Sequence, residues 1–149
     1  MNNILNISNL KKNYYTLDGE ITAIENISFS LEEGCFLSIV GSSGCGKSTL
    51  LNIITGLDTL TAGKIEFNKD LKIGYMLQED ALLPWLTVFQ NAILGLTLQK
   101  IDTPENKEYV ESLLNTYGLG SFMHKYPKEL SGGMKQRVAW IKIRQQKNT

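Results

Sequence analysis

The first third of the chain alternates apolar with polar residues. The pattern runs from Ile4 to Tyr15 and again from Ile21 to Leu31, with the turn-prone Leu17-Asp-Gly-Glu20 between the two stretches. A period of two turns one side of an extended chain toward a core, so a pair of antiparallel strands is predicted. Glu33-Gly34 then makes a turn into Cys35-Phe-Leu-Ser-Ile-Val40, a mostly apolar run that reads as a buried strand. Ser48-Thr-Leu-Leu-Asn-Ile-Ile54 is helix-like and is stopped at Gly56. Beyond Thr61-Ala-Gly63, Lys64-Ile-Glu-Phe67 predicts another strand, and Ile73-Gly-Tyr-Met-Leu77 a further buried one ending at Gln78. From Thr87 the period changes: Val88, Asn91, Ala92 and Gly95 recur at three- and four-residue spacing. Pro104, with Glu105 and Glu108, opens a second helix through about Tyr117, closed by Gly118 and Gly120. The order is a β-rich beginning, a central core and a helical insert, which is an α/β pattern without internal repeats or low-complexity segments.

Composition narrows the class. A chain of 149 residues, 42% hydrophobic and 20% charged, suits one globular domain. The formal net charge is +0, which gives no reason to expect nucleic acid as a partner. No stretch approaches the ~20 apolar residues of a membrane span, and the N-terminus lacks a signal-peptide pattern, so a cytoplasmic location is expected. Two cysteines, Cys35 and Cys45, are too few for a disulfide framework. Cys35 reads as a buried strand residue. Cys45 reads as a loop filler whose thiol could make the binding of any ligand by that loop sensitive to alkylation.

The chemistry concentrates in Gly41-Ser-Ser-Gly-Cys-Gly-Lys-Ser-Thr49. These residues fit G-x-x-x-x-G-K-[ST], the phosphate-gripping P-loop, in the strand–loop–helix context the motif requires. Gly41, Gly44 and Gly46 let successive backbone N–H groups, including those of Ser42, Ser43 and Cys45, turn toward phosphate oxygens. The helix that follows adds its unpaired N–H groups and the positive end of its dipole. Lys47 supplies a charge for the β- and γ-phosphates, Ser48 a ligand for Mg²⁺, and Thr49 a hydroxyl at the α-phosphate. The expected cofactors are a nucleoside triphosphate and Mg²⁺.

A second string, Leu130-Ser-Gly-Gly-Met-Lys-Gln136, changes the reading from a motif to a family. Here the chain resembles the ATP-binding subunits of ATP-binding cassette (ABC) transporters, whose signature is LSGGQ or a close variant. Ser131, Gly132 and Gly133 match it, and Gln136-Arg137 match the residues that usually follow. The resemblance implies an ABC ATPase fold, with an antiparallel β-subdomain, a P-loop core and a helical subdomain. It also implies that the nucleotide is ATP, held in a homodimer or heterodimer of ATP-binding subunits between the P-loop of one and the signature of the other.

Other positions take their roles from the same resemblance. Gln78 lies where the family has its Q-loop glutamine, a catalytic residue that touches Mg²⁺. Tyr14 lies where the family stacks an aromatic ring on adenine; Tyr15 and a plain core aromatic are the alternatives. The stretch from Gln78 through Leu82-Leu-Pro-Trp-Leu-Thr-Val88 resembles the nitrate/sulfonate/taurine importers. In that group the surface after the Q-loop receives the membrane subunit, so Leu82, Leu83, Pro84 and Trp85 form a candidate contact, against the alternative of packing within the helical insert. A solute-binding protein is implied indirectly. The expected place is the cytoplasmic face of the membrane. His124 is not the family's switch histidine and reads as solvent-facing.

The resemblance fades after about Ala139. The family continues into a strand ending in Asp-Glu, the Walker B pair, yet no apolar run in these 149 residues ends so. The expectation is a truncated or frameshifted ABC ATPase, with the C-terminal part of the core missing and the apolar faces of Phe36, Leu37, Ile39 and Val40 only partly covered. Within it, 1–86 would be the β-subdomain and P-loop core, 87–133 the helical subdomain, and 134–149 the signature helix and a divergent tail. Two functions compete: an ATPase subunit of an importer, and a nucleotide-binding module without hydrolysis. Ser131-Gly-Gly133 and the lack of an Asn-Lys-x-Asp string argue against a P-loop kinase or GTPase.

Overall fold

Strands β1 (Asn3–Thr16) and β2 (Gly19–Glu32) pair antiparallel across the turn at Leu17 and Asp18. β3 (Ala62–Phe67) lies antiparallel on the other edge of β1, giving the order β2-β1-β3. The alternation read from the sequence is the cause. Leu5, Ile7, Leu10 and Ile24 fall on one face and are buried with Leu50 and Ile53 of helix α1 (Lys47–Ile54). Each such side chain contributes about 1.5–3 kcal/mol when fully buried. At the bulge in β1, Asn9 takes φ 49 and its carbonyl presses on Gly63, where no Cβ could fit.

The computed structural model describes residues 3–68, 71–77 and 81–144, in two units, Met1–Leu71 and Lys72–Thr149. The second unit is helical: α2 (Val88–Leu98), α3 (Pro104–Thr116) and α4 (Gly132–Arg144) surround a core that includes Val88, Leu96, Val110, Leu114, Val138 and Ile141. Thr87 and Gln90 cap α2 reciprocally, each backbone N–H donating to the other's side-chain oxygen. The next two N–H groups, of Val88 and Phe89, donate to the carbonyls of Lys125 and Met123. Thr103 caps α3, with Pro104 in its first turn. Gly118, at φ 70, closes that helix, with the Leu119 N–H reaching the Leu114 carbonyl at 2.7 Å.

Two predicted strands are not formed. Cys35 to Val40 and Ile73 to Leu77 have no ladder partner among the described residues. A lone extended segment lacks the inter-strand hydrogen bonds that define a strand, and a parallel one also needs both faces covered. Phe36 is 94% exposed and Val40 87%, in keeping with the partial cover expected of this run. Cys35, expected to be buried, is exposed for the same reason.

Candidate nucleotide-binding site

The phosphate loop is built by two left-handed glycines and the start of α1. Gly44 has φ 78 and Gly46 φ 90, conformations that disfavour a Cβ. At Gly46 a Cβ would also lie 2.5 Å from the Ala23 carbonyl oxygen and 3.2 Å from Ile24 Cγ1, so the helix begins tight against β2. The first intrahelical bond runs from the Leu50 N–H to the Gly46 carbonyl at 2.9 Å. The N–H groups of Lys47, Ser48 and Thr49 precede it and have no partner within the helix.

Lys47 folds back over this loop. Its Nζ donates to the carbonyls of Gly41 at 2.9 Å and Ser42 at 2.6 Å, with Cys45 Sγ at 3.5 Å. The Cys45 N–H closes a turn onto the Ser42 carbonyl at 3.4 Å. Ser42, Ser43, Cys45 and Ser48 are exposed, and Thr49 is half-buried. An ammonium, a helix start and free hydroxyls thus come together on one short segment. That combination binds oxyanions.

Tyr14 lies on β1 and is half-covered, whereas Tyr15 is 73% exposed. The Tyr14 hydroxyl donates to Asp58 Oδ2 at 2.8 Å, and Lys12 Nζ pairs with Asp58 Oδ1 at 2.6 Å. The Lys12 ammonium, then Tyr14 and the Thr59 N–H, hold the Asp58 carboxyl at about 2, below its ordinary 3.8. Sequence reasoning missed Lys12 and Asp58. The available signal was Lys12 itself, a charge two residues from Tyr14 and therefore on the same side of the strand.

The signature occupies the start of α4 in the second unit. Ser131 Oγ accepts the Met134 N–H at 3.4 Å and the Ser131 carbonyl accepts the Lys135 N–H at 3.0 Å, an N-cap arrangement. Ser131, Gly132 and Gly133 are all exposed. A Cβ at Gly132 or Gly133 would meet nothing within 4 Å, so packing inside the chain does not demand glycine there. Arg137 donates to the Tyr117 carbonyl at 3.1 Å, tying α4 to the end of α3.

Gln78 lies outside the described residues. Leu82 corrects an expectation: it is buried in the helical core rather than offered to a partner, because the chain turns inward there to cover α2. Leu83 is half-buried, while Pro84 and Trp85 are exposed. His124 is exposed, as expected.

Residues 24–148 match the family described as ABC transporter. The chain is 42% identical over 141 residues to the nitrate import ATP-binding protein NrtD of Synechocystis, covering 91% of this chain and 53% of that protein. It is 42% identical over 142 residues to the aliphatic sulfonates import ATP-binding protein SsuB of Bacillus anthracis, covering 91% and 55% respectively. The chain spans about half the length of these curated relatives. A solved dimeric structure of the ATP-binding cassette MJ0796, in a post-hydrolysis state with ADP and Pi, superposes with a TM-score of 0.83 at 32% identity, covering 96% of this chain and 70% of that one. Since the match takes in both the phosphate loop and the signature helix, this chain belongs to the ABC transporter family, as an ATP-binding domain with the ABC ATPase fold.

Proposed function

We propose that the chain acts in the ATP-binding subunit of an importer for nitrate, a sulfonate, taurine or a similar small solute, on the cytoplasmic face of the membrane. The observation that carries the nucleotide reading is Lys47, whose ammonium sits on the carbonyls of Gly41 and Ser42 beside the open start of α1. Lys47 would exchange those neutral acceptors for the β- and γ-phosphate oxygens of ATP, adding the attraction of opposite charges to hydrogen bonds already assisted by its own. The first-turn N–H groups of α1 and the loop amides from Gly41 to Gly46 would bind the same phosphates. Ser48 would offer its hydroxyl to Mg²⁺, and Gln78 would join it. Tyr14 would stack on the base. Mg²⁺ would neutralise the phosphates and fix their arrangement.

Ser131, Gly132 and Gly133 would bind the γ-phosphate of ATP held by a second cassette. The open space over both glycines supports this, because bare backbone admits a close approach from outside. Pro84 and Trp85 would contact the membrane subunit.

The second reading is binding without turnover by these 149 residues alone. These 149 residues contain no apolar run ending in Asp-Glu. They bring no Walker B pair, and a positioned general base contributes about 10²–10⁴-fold to rate.

ATP binding and ATP hydrolysis measured separately, on the chain and on Lys47→Ala, test both. Hydrolysis that vanishes with Lys47 supports the ATPase. Binding that depends on Lys47 but gives no turnover supports the binding module. Absence of ATP binding to the unaltered chain overturns both.

A further inference from the structure

Lys12, Tyr14 and Asp58 form a closed triangle. Tyr14 Oη donates to Asp58 Oδ2 at 2.8 Å, Lys12 Nζ donates to Asp58 Oδ1 at 2.6 Å, and the same Nζ lies 4.7 Å from the centroid of the Tyr14 ring. The two groups that hold the ring are themselves held. Lys12 is only 7% exposed and also donates to the Thr59 carbonyl at 2.6 Å, while the Thr59 N–H donates to Asp58 Oδ1 at 2.7 Å. The tether therefore runs from β1 to the connection between α1 and β3. Tyr14 nevertheless keeps 39% of its surface exposed. With an ammonium against one face of the ring, a flat ligand has the opposite face to stack on.

We propose that Asp58 and Lys12 are positioning residues that hold Tyr14 as a one-sided platform for a nucleoside base. This rests on the assignment of Tyr14 to the base above and adds what fixes it. A tyrosine free to rotate must be ordered when its ligand arrives, and ordering one side chain weakens binding about 2- to 10-fold. The hydroxyl tether to Asp58 removes that freedom beforehand. Lys12 fixes Asp58 and blocks the inner face, so a base would be admitted from one side only.

The test compares two probes on the full chain: ATP, and inorganic tripolyphosphate, which has the charge but no base. Tyr14→Phe keeps the ring and removes only the tether; Asp58→Asn keeps the shape and removes the charge; Tyr14→Ala removes the platform. Tyr14→Phe and Asp58→Asn are expected to weaken ATP about 2- to 10-fold and Tyr14→Ala by more, with tripolyphosphate affinity unchanged in all three. If Tyr14→Ala binds ATP as the unaltered chain does, the assignment of Tyr14 to the base fails, and the positioning role with it. If Tyr14→Ala weakens ATP while Tyr14→Phe does not, the assignment stands and the positioning role is overturned. A fall in tripolyphosphate affinity equal to that for ATP overturns it too, because the effect would then pass through the phosphate loop. Tyr14→Phe leaves the Lys12–Asp58 pair in place, so it decides the matter even if Asp58→Asn unfolds.

Discussion

Asn91 and Leu83 exchange two hydrogen bonds: the Leu83 N–H donates to Asn91 Oδ1 at 2.8 Å, and Asn91 Nδ2 donates to the Leu83 carbonyl at 3.1 Å. A carboxamide thereby pairs with the main chain as a neighbouring strand would. The same Nδ2 lies 3.0 Å from the carbonyls of Leu86 and Thr87. Asn91 is fully buried, so the loop carrying Pro84 and Trp85 is fastened from inside the helical core. An exposed tryptophan on a fastened loop loses less entropy on meeting a partner than one on a loose loop.

Asn91→Ala should therefore be among the more damaging single changes in the second unit. It leaves the Leu83 N–H and the Leu86 carbonyl to find other partners, while the Leu83 and Thr87 carbonyls keep the N–H groups of Leu86 and Asn91. The cost is roughly 2–4 kcal/mol, since each unsatisfied buried group costs about 1–3. Asn91→Asp keeps an acceptor for Leu83 but sets a carboxylate against carbonyl oxygens, and a comparable loss is expected. Urea unfolding followed by tryptophan fluorescence measures both. A change under about 0.5 kcal/mol in Asn91→Ala, the scale of an ordinary surface substitution, would mean that the loop holds itself.

Gly46→Ala joins fold and site in one position. The left-handed conformation costs a Cβ about 1–2 kcal/mol, and the clash with the Ala23 carbonyl adds to it. Relief requires the start of α1 to move off β2, which displaces the amides proposed to bind the phosphates. The expected result is a lower melting temperature together with loss of ATP binding. Retained binding at a lowered melting temperature would separate the two roles.

Local chemistry was readable in the sequence where a residue type has one main use. The β1–β2 pair, the helix that follows Thr87, Pro104 at the start of α3 and Gly118 at its end all lie where alternation, the change of period, proline and glycine placed them. Cys35 to Val40 and Ile73 to Leu77 were misread because an apolar run states only that a segment wants cover, not that a neighbour is present to pair with it. Leu82 was misassigned for a related reason. Composition gives an apolar cluster but not which member turns inward. Asp58 was invisible because its meaning lies in Lys12 and Tyr14, more than forty residues earlier, which are brought to it by the sheet.

Lys100 gives a prediction of opposite sign. It occupies φ 58 at the end of α2, where the Ile101 N–H reaches the Leu96 carbonyl at 3.0 Å and its own N–H the Thr97 carbonyl at 3.1 Å. That is the closing pattern in which glycine is the usual residue. Lys100→Gly relieves about 1–2 kcal/mol of strain and returns about 0.4–1 through the freer unfolded chain. A net gain of roughly 0.5–1 kcal/mol in denaturant unfolding is expected.

Asp58 predicts part of the acid response. Its folded value of about 2 lies below the ordinary 3.8, so between these the unfolded chain binds the proton first. Its contribution to stability is complete above about pH 4 and is lost as pH falls through about 2. Asp58→Asn should flatten the pH dependence of unfolding in that window. Some slope should remain, because Glu66, Glu105 and Glu129 are also held below their usual range, by Lys64, by the backbone N–H of Glu105 itself and by the Tyr126 N–H respectively. An unchanged slope between about pH 2 and 4 would show that Asp58 is already protonated, or unpaired, in the folded chain.

Gly132→Ala separates folding from assembly. The added methyl meets nothing within 4 Å, and the position is helical, where alanine is the better residue. Stability should stay level or rise by up to about 0.5 kcal/mol, less than a mid-helix replacement gives, because the first turn carries fewer hydrogen bonds. If the open backbone at Gly132 receives the phosphate of a second cassette, the same methyl stands where that phosphate must come. ATP-dependent association, measured by light scattering or sedimentation, should then fall at least tenfold while ATP binding to the isolated chain is kept. Association that survives in a variant as stable as the parent would leave Gly132 without a function at this surface, and the signature helix would have to meet its partner through Ser131 and Gly133.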